Sequence, residues 1–433
     1  MTDVTTRTTS VRADTLLARF LEVRAGSEAL AAPLSPEDAQ IQSMPDASPT
    51  KWHLAHSTWF FETFLLRDFL PAYRPFDPDY HYLFNSYYEA EGPRHRRDRR
   101  GMLSRPMLAD VLRYRTAVTD ALHEALPRWQ SRDDWPRIAA LIELGCQHEE
   151  QHQELILTDI KHALAENPLE PAYVPIAGEA AEGEAAPLEF VAFEEGIHPI
   201  GHDGTGFAYD NEGPRHRRLI AAFALASRTV TCGEYAEFIA DGGYRTPGLW
   251  LSEGHDWVRA NAIGMPLYWR REEGGYSIFT LRGRRPLRMD EPVVHLSLYE
   301  ADAFARWAGA RLPREEELEL AARETPIAAE VNDASSGRFH PRVITKDDRR
   351  RSAIPDLAGN VWEWTMSAYA PYPGFRPAEG AVGEYNGKFM VNQYVLRGGS
   401  CATPKGHWRP SYRNFFPAAA RWQFSGLRLA KDI

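Results

Sequence analysis

The sequence predicts an all-helical first half and an α+β second half, and three observations predict it. Long segments with apolar residues at helical spacing fill residues 12–166. A Pro-, Ala- and Glu-rich stretch without periodicity, ENPLEPAYVPIAGEAAEGEAAPL, follows and reads as a linker. Beyond it the texture changes to short segments rich in Gly, Trp and Arg, with two embedded helices, as an α+β domain held by turns requires. A chain of 433 residues accommodates two or three such cores. The expected division is a helical bundle over 1–168, a linker over 169–188 and an α+β domain over 189–433.

The first helix covers Arg12 to Leu30, with Leu16, Leu17, Phe20, Leu21 and Val23 on its apolar side. A second begins at SPTKWHLAHSTWFFETFLL, where Ser48 suits the N-cap and Pro49 the first helical position. Trp52, His56, Trp59, Phe60 and Thr63 make its apolar stripe, so His56 faces inward while His53 lies off the stripe. A long connection, YHYLFNSYYEAEGPRHRRDRRGMLSRP, leads to a third helix, with Ser104 capping and Pro106 in its first turn. The fourth carries LIELGCQHEEQHQELILTDI. Four helices of this length form an antiparallel bundle, a fold that builds metal sites from facing helices.

His148 and His152 sit at i and i+4, so both imidazoles project from one helical face within reach of a single ion. Ile138, Leu141, Ile142, Gly145, Leu155 and Ile156 share that face, which therefore points into a core. His56 supplies the third nitrogen. Three neutral ligands leave a divalent ion its charge and open positions, suiting iron with oxygen or zinc with water. Two other readings fit the same residues: buried histidines satisfied by neighbours, and an HExxH zinc hydrolase with Glu149 as general base. In the connection, Tyr87 or Tyr88 is placed to donate a proton to a metal-bound species, and its arginines to hold a carboxylate; otherwise this is a solvated basic loop anchored by tyrosines.

A net charge of −10 argues against nucleic acid or an anionic membrane as partner. No apolar run approaches a membrane span, and MTDVTTRTTS lacks the apolar core of a signal peptide, so a cytoplasmic location is expected. Three scattered cysteines, Cys146, Cys232 and Cys401, fit reduced thiols.

GNVWEW, RGGS, SGLR and RLPREEELELAAR resemble the formylglycine-generating-enzyme domain, a C-type-lectin-like fold, across nearly all of 190–433. That enzyme uses paired C-terminal cysteines; here only Cys401 follows RGGS, so its own reaction is not expected. The first half resembles the DinB-like bundle, in which WHLAH and HxxxH provide three histidines to a metal. Both halves in this order resemble the ergothioneine-biosynthetic sulfoxide synthases, or hercynine oxygenases. The resemblance implies a non-haem Fe(II) enzyme that joins a cysteine sulfur to C2 of the hercynine imidazole with O2, giving the sulfoxide.

Carried over by residue, the resemblance makes His56, His148 and His152 the iron ligands and puts Gln151 near the hercynine imidazole. It makes Asn414, Phe415 and Phe416 part of the hercynine wall, where aromatic faces would attract a trimethylammonium. Arg94 and Arg97 align with donor-binding arginines. The mycobacterial type, which uses γ-glutamylcysteine, has an acidic residue where Phe415-Phe416 stands and keeps its proton-donating tyrosine in the C-terminal domain. The pair Tyr87-Tyr88 instead resembles the type that uses free cysteine, so cysteine is the expected donor. The competing outcomes are γ-glutamylcysteine as donor, a zinc hydrolase or thiol transferase, and a non-catalytic lectin-like binding protein.

Overall fold

The computed structural model describes residues 12–175, 183–327 and 330–433. The MTDVTTRTTS segment and the middle of the expected linker, 176–182, lie outside the described residues. Contacts divide the chain into two units. The first runs to Glu166 and takes in Gly204–Phe207 and Glu379–Tyr385; the second comprises Asn167–Asp203, Ala208–Ala378 and Asn386–Ile433.

The first unit packs four helices, α1 (Ala13–Ala31), α2 (Thr50–Phe61), α3 (Leu108–Trp129) and α4 (Trp135–Glu166). Phe20 of α1, Trp59, Phe60 and Phe61 of α2, Val111, Tyr114 and Val118 of α3, and Ile138 and Ile142 of α4 form one core. Every residue of α2 is buried. It is enclosed on all sides by α3, α4 and the connection that follows it, so a stripe argument cannot say which of its residues face the centre. His53, expected off the stripe, is buried like its neighbours.

Two expected caps are displaced. Pro49, not Ser48, is the N-cap of α2 and makes no side-chain cap. Ser48 Oγ instead accepts from Arg100 (2.9 Å), and its N–H donates to Asp159 (2.8 Å). α3 starts at Leu108 rather than at Pro106, because Lys51 Nζ draws in the carbonyls of Leu103 (2.6 Å) and Pro106 (2.9 Å). Asp110 then accepts from the Met107 N–H (2.9 Å), doing the capping work expected of Ser104.

The second unit is built on small sheets. β1 (Phe190–Phe193), β2 (Phe223–Ala226) and β7 (Ala430–Asp432) form one, in the order β1-β2-β7. β3 (Trp362–Ala368), β4 (Tyr394–Arg397), β5 (Asn414–Phe416) and β6 (Ser425–Gly426) form another, in the order β5-β4-β3-β6, with β6 parallel to β3. The two embedded helices are Leu298–Trp307 and α5 (Glu315–Glu324). Further helices at Cys232–Ala240 and Ser252–Ala260 exceed that expectation; at nine residues each they are too short to leave a clear period.

The motifs that carried the resemblance are architectural. Trp362 and Trp364 of GNVWEW are buried, and Trp364 donates to the Leu296 carbonyl (2.8 Å). Arg397 of RGGS donates to Glu315 (2.8 Å) and Glu319 (3.1 Å) on α5. Gly398 (φ 100°) and Gly399 (φ 79°) then turn the chain through backbone conformations that side chains rarely adopt. Arg428 of SGLR is fully buried between Glu363 (2.6 Å) and Asp356 (2.7 Å). The Arg397 pairs tie strand to helix and the Arg428 pairs tie separate loop and strand segments, because a buried charge left alone is costly. Among the described residues no helix is long and apolar enough to cross a membrane.

Candidate metal centre

α2 and α4 meet through a glycine. A Cβ at Gly145 would lie 2.5 Å from the Phe61 ring and 3.1 Å from that of Phe60, so only glycine lets the helices approach this closely. One turn further along α4, His148 comes against α2, and His152 follows a turn later. The ligand atoms of His56, His148 and His152 all lie within 4.8 Å of one another. This is the one such cluster among the described residues. His56 and His148 are buried and His152 partly so.

The nitrogens are prepared for a cation. The Phe84 carbonyl, at the end of the helical turn Tyr80–Phe84, lies 2.6 Å from His56 Nδ1. A carbonyl only accepts, so Nδ1 carries the proton and Nε2 is left bare. His152 Nδ1 is taken up by His53 (2.8 Å), which likewise leaves Nε2. His148 Nδ1 is buried and has no hydrogen-bond partner among the described residues. Burial drives all three rings toward the neutral form: His148 falls to about 4, and His56 and His152 lie well below the ordinary range, pushed further by the neighbouring histidines. Neutral imidazoles with bare nitrogens fit a divalent metal.

Glu149 points away from this centre. Its carboxylate accepts from Arg24 (3.0 Å), Arg115 (2.8 Å) and Ser27 (2.7 Å) and is fully buried. Burial alone would raise its pKa, yet Arg115 and Arg24 prevail and bring it to about 2. An anion so paired is a poor general base, which counts against the HExxH hydrolase. Gln151, just before His152, is partly buried.

The connection after α2 is folded by Asn85, whose side chain accepts from the Tyr88 N–H (3.3 Å) and donates to the Tyr88 carbonyl (3.0 Å). Tyr88 is buried, its ring 5.5 Å from Trp59 and 5.2 Å from Phe64. Tyr87 is partly exposed; its hydroxyl accepts from Arg97 (2.6 Å), and its ring lies 5.9 Å from Tyr385. Arg97 also donates to the Asp46 carbonyl, while Arg94 pairs with Glu89 (2.8 Å) and the Ser86 carbonyl (2.5 Å). In the second unit, Asn414, Phe415 and Phe416 form β5; Phe415 stacks on Tyr369 at 4.0 Å, and Phe416 meets Trp422 edge-on.

Three participants were not found from sequence. Arg100 lies 3.3 Å over the Trp52 ring, which stacks on His56 at 4.6 Å, so a cation caps an aromatic column that contains His56. It also holds Ser86 Oγ (3.0 Å), fixing the start of the tyrosine segment. The run of five arginines hid which one is built in. Tyr385 comes from a distant segment, and its phenol is pushed up by burial and by Tyr87. His53 was visible in WHLAH, but its partner Asp159 was not.

The sequence matches the family model for the sulfatase-modifying factor enzyme 1-like domain over residues 179–433 and that for the DinB superfamily over 19–156. It is 32% identical to the hercynine oxygenase of Mycolicibacterium smegmatis, over 92% of this chain and 94% of that protein. To the hercynine oxygenase of Mycobacterium tuberculosis it is 30% identical with the same coverage. The formylglycine-generating enzyme of Streptomyces coelicolor is 32% identical over 50% of this chain and 78% of that one.

Proposed function

The chain belongs to the hercynine oxygenase family, and from that premise we propose that it is an Fe(II)- and O2-dependent sulfoxide synthase of ergothioneine biosynthesis, acting on hercynine and cysteine. In this reaction the thiol S–H and the imidazole C2–H give way to a C–S and an S=O bond. O2 is reduced to the sulfoxide oxygen and water. The observation that carries the reading is the convergence of three neutral imidazoles, His56, His148 and His152, in a bundle where both carboxylates of the HEEQH motif are held by arginines, Glu149 by Arg24 and Arg115 and Glu150 by Arg19.

Held by those three nitrogens, Fe(II) supplies one-electron chemistry toward O2 and a Lewis-acid position for a thiolate. The protein's own groups do the rest. Arg97 donates to the Tyr87 oxygen and so fixes the direction of that phenol, and Tyr87 is assigned as the proton donor of the pair. Tyr88 packs against Trp59, and its ring excludes water from that side. Arg94 and Arg97, both exposed, are assigned to the donor carboxylate. Gln151, Asn414, Phe415 and Phe416 are assigned to hercynine on their motif positions.

The donor is tested by competition. With hercynine and equimolar cysteine and γ-glutamylcysteine, the expected product is the cysteine conjugate. Predominance of the γ-glutamyl conjugate would reverse the donor assignment and leave the reaction class standing.

A further inference from the structure

Behind His152 the chain of contacts continues. His53 Nδ1 lies 2.8 Å from His152 Nδ1, and His53 Nε2 lies 3.0 Å from Asp159 Oδ2. His53 and Asp159 are both buried. Asp159 is held in turn by the Ser48 N–H at 2.8 Å and by Thr158 Oγ1 at 3.3 Å.

The proton positions follow from donor arithmetic. A carboxylate facing a ring nitrogen only accepts, so His53 carries its proton on Nε2. A neutral His53 then has a lone pair on Nδ1. Two nitrogens 2.8 Å apart share a single proton, so His152 must be the donor from its own Nδ1. That leaves the lone pair of His152 on Nε2, free to ligate. Without the carboxylate, His53 could equally carry its proton on Nδ1. The shared proton would then come from His53, and His152 could hold its own on Nε2, where it blocks metal.

We propose that Asp159 and His53 are positioning residues that set the ligating tautomer of His152 through a carboxylate–imidazole–imidazole relay. The proposal rests on the metal-centre reading above. Its logic is that of a carboxylate behind a metal-bound histidine, extended by one ring, and removal of such partners weakens metal binding by about 10–100-fold. The relay also explains why α2 carries histidines at positions 53 and 56 and α4 carries His152 and Asp159 seven residues apart: each helix contributes alternate members. It serves only one ligand, since His56 is oriented separately by the Phe84 carbonyl.

The test is metal affinity and not turnover. Co(II) is titrated into metal-free wild type, Asp159→Asn, His53→Phe, the double variant and His152→Ala, following the visible absorption of the bound ion. Circular dichroism and the thermal midpoint of each metal-free protein are recorded alongside. The expected result is a Kd raised about 10-fold or more in each single variant, with the double variant no worse than His53→Phe because the two act in series. Asp159→Asn is nearly isosteric and keeps the test valid if His53→Phe folds poorly. Wild-type affinity in Asp159→Asn and His53→Phe, beside lost affinity in His152→Ala, overturns the relay alone. Wild-type affinity in His152→Ala overturns the metal centre and the relay with it.

Discussion

Gly145→Ala perturbs the contact that brings the two histidine-bearing helices together. The new methyl would lie 2.5 Å from Phe61 Cε1 and 3.1 Å from Phe60 Cε1. Ordinary carbon contacts need about 3.5–4.0 Å, so roughly 1 Å of separation must be found. Phe61 cannot supply it by turning, since it is fully buried with Phe20 edge-on at 4.9 Å. Alanine in a helix interior gains up to about 1 kcal/mol over glycine, and overpacking costs about 1–3 kcal/mol. The net expectation is a loss of up to about 2 kcal/mol. Metal–ligand distances tolerate only about 0.2 Å, so the displacement of α2 from α4 should also weaken metal binding on the order of 10-fold or more. Urea unfolding of the metal-free protein and Co(II) titration read the two effects. A variant about 1 kcal/mol more stable than wild type with unchanged metal affinity would refute the close-approach argument, because propensity alone would then have acted.

Glu149→Gln should cost about 3–5 kcal/mol, since it strips the buried Arg24 and Arg115 of their anion; a zinc hydrolase would instead lose turnover with its stability intact, and urea unfolding separates the two. Tyr87→Phe and Tyr88→Phe should each retain iron, with Tyr87→Phe the slower or more diverted in sulfoxide formation; full activity in both would remove the tyrosines from the chemistry. Acid should weaken the second unit through Glu315: burial alone would raise its pKa, but Arg413 and Arg397 hold it below the ordinary 4.5. The unfolded chain therefore takes up the proton first, so this stability is present at neutral pH and is lost as pH falls below about 4.5. Glu315→Gln should show a shallower fall of thermal midpoint between neutral and acid pH than wild type, and equal slopes would contradict the assignment.

The helical half was legible because its signals are local. The i, i+4 spacing of His148 and His152 fixes a common face wherever the helix packs, and a third histidine on a facing helix completes the set. The same method failed for His53, because α2 is buried on every side and offers no polar face against which to read a stripe. Caps at Ser48 and Ser104 were misplaced for a related reason: Arg100 and Lys51 take up the oxygens and carbonyls of those segments from 52 residues away in each case. In the second half the motifs identified the fold through resemblance, but the pairing that makes them matter joins residues 82 apart for Arg397 and Glu315 and 65 apart for Arg428 and Glu363, and leaves no periodic trace. Arg100 illustrates the remaining gap. One arginine of five is stacked on Trp52, and only the fold of the connection selects it.

The most direct measurement is product formation by the Fe(II)-loaded protein with hercynine and cysteine in air, read by mass. The account predicts hercynylcysteine sulfoxide from the wild type, none without O2, and none from His148→Ala. Absence of any conjugate with either cysteine or γ-glutamylcysteine, or product that persists without O2, would contradict it.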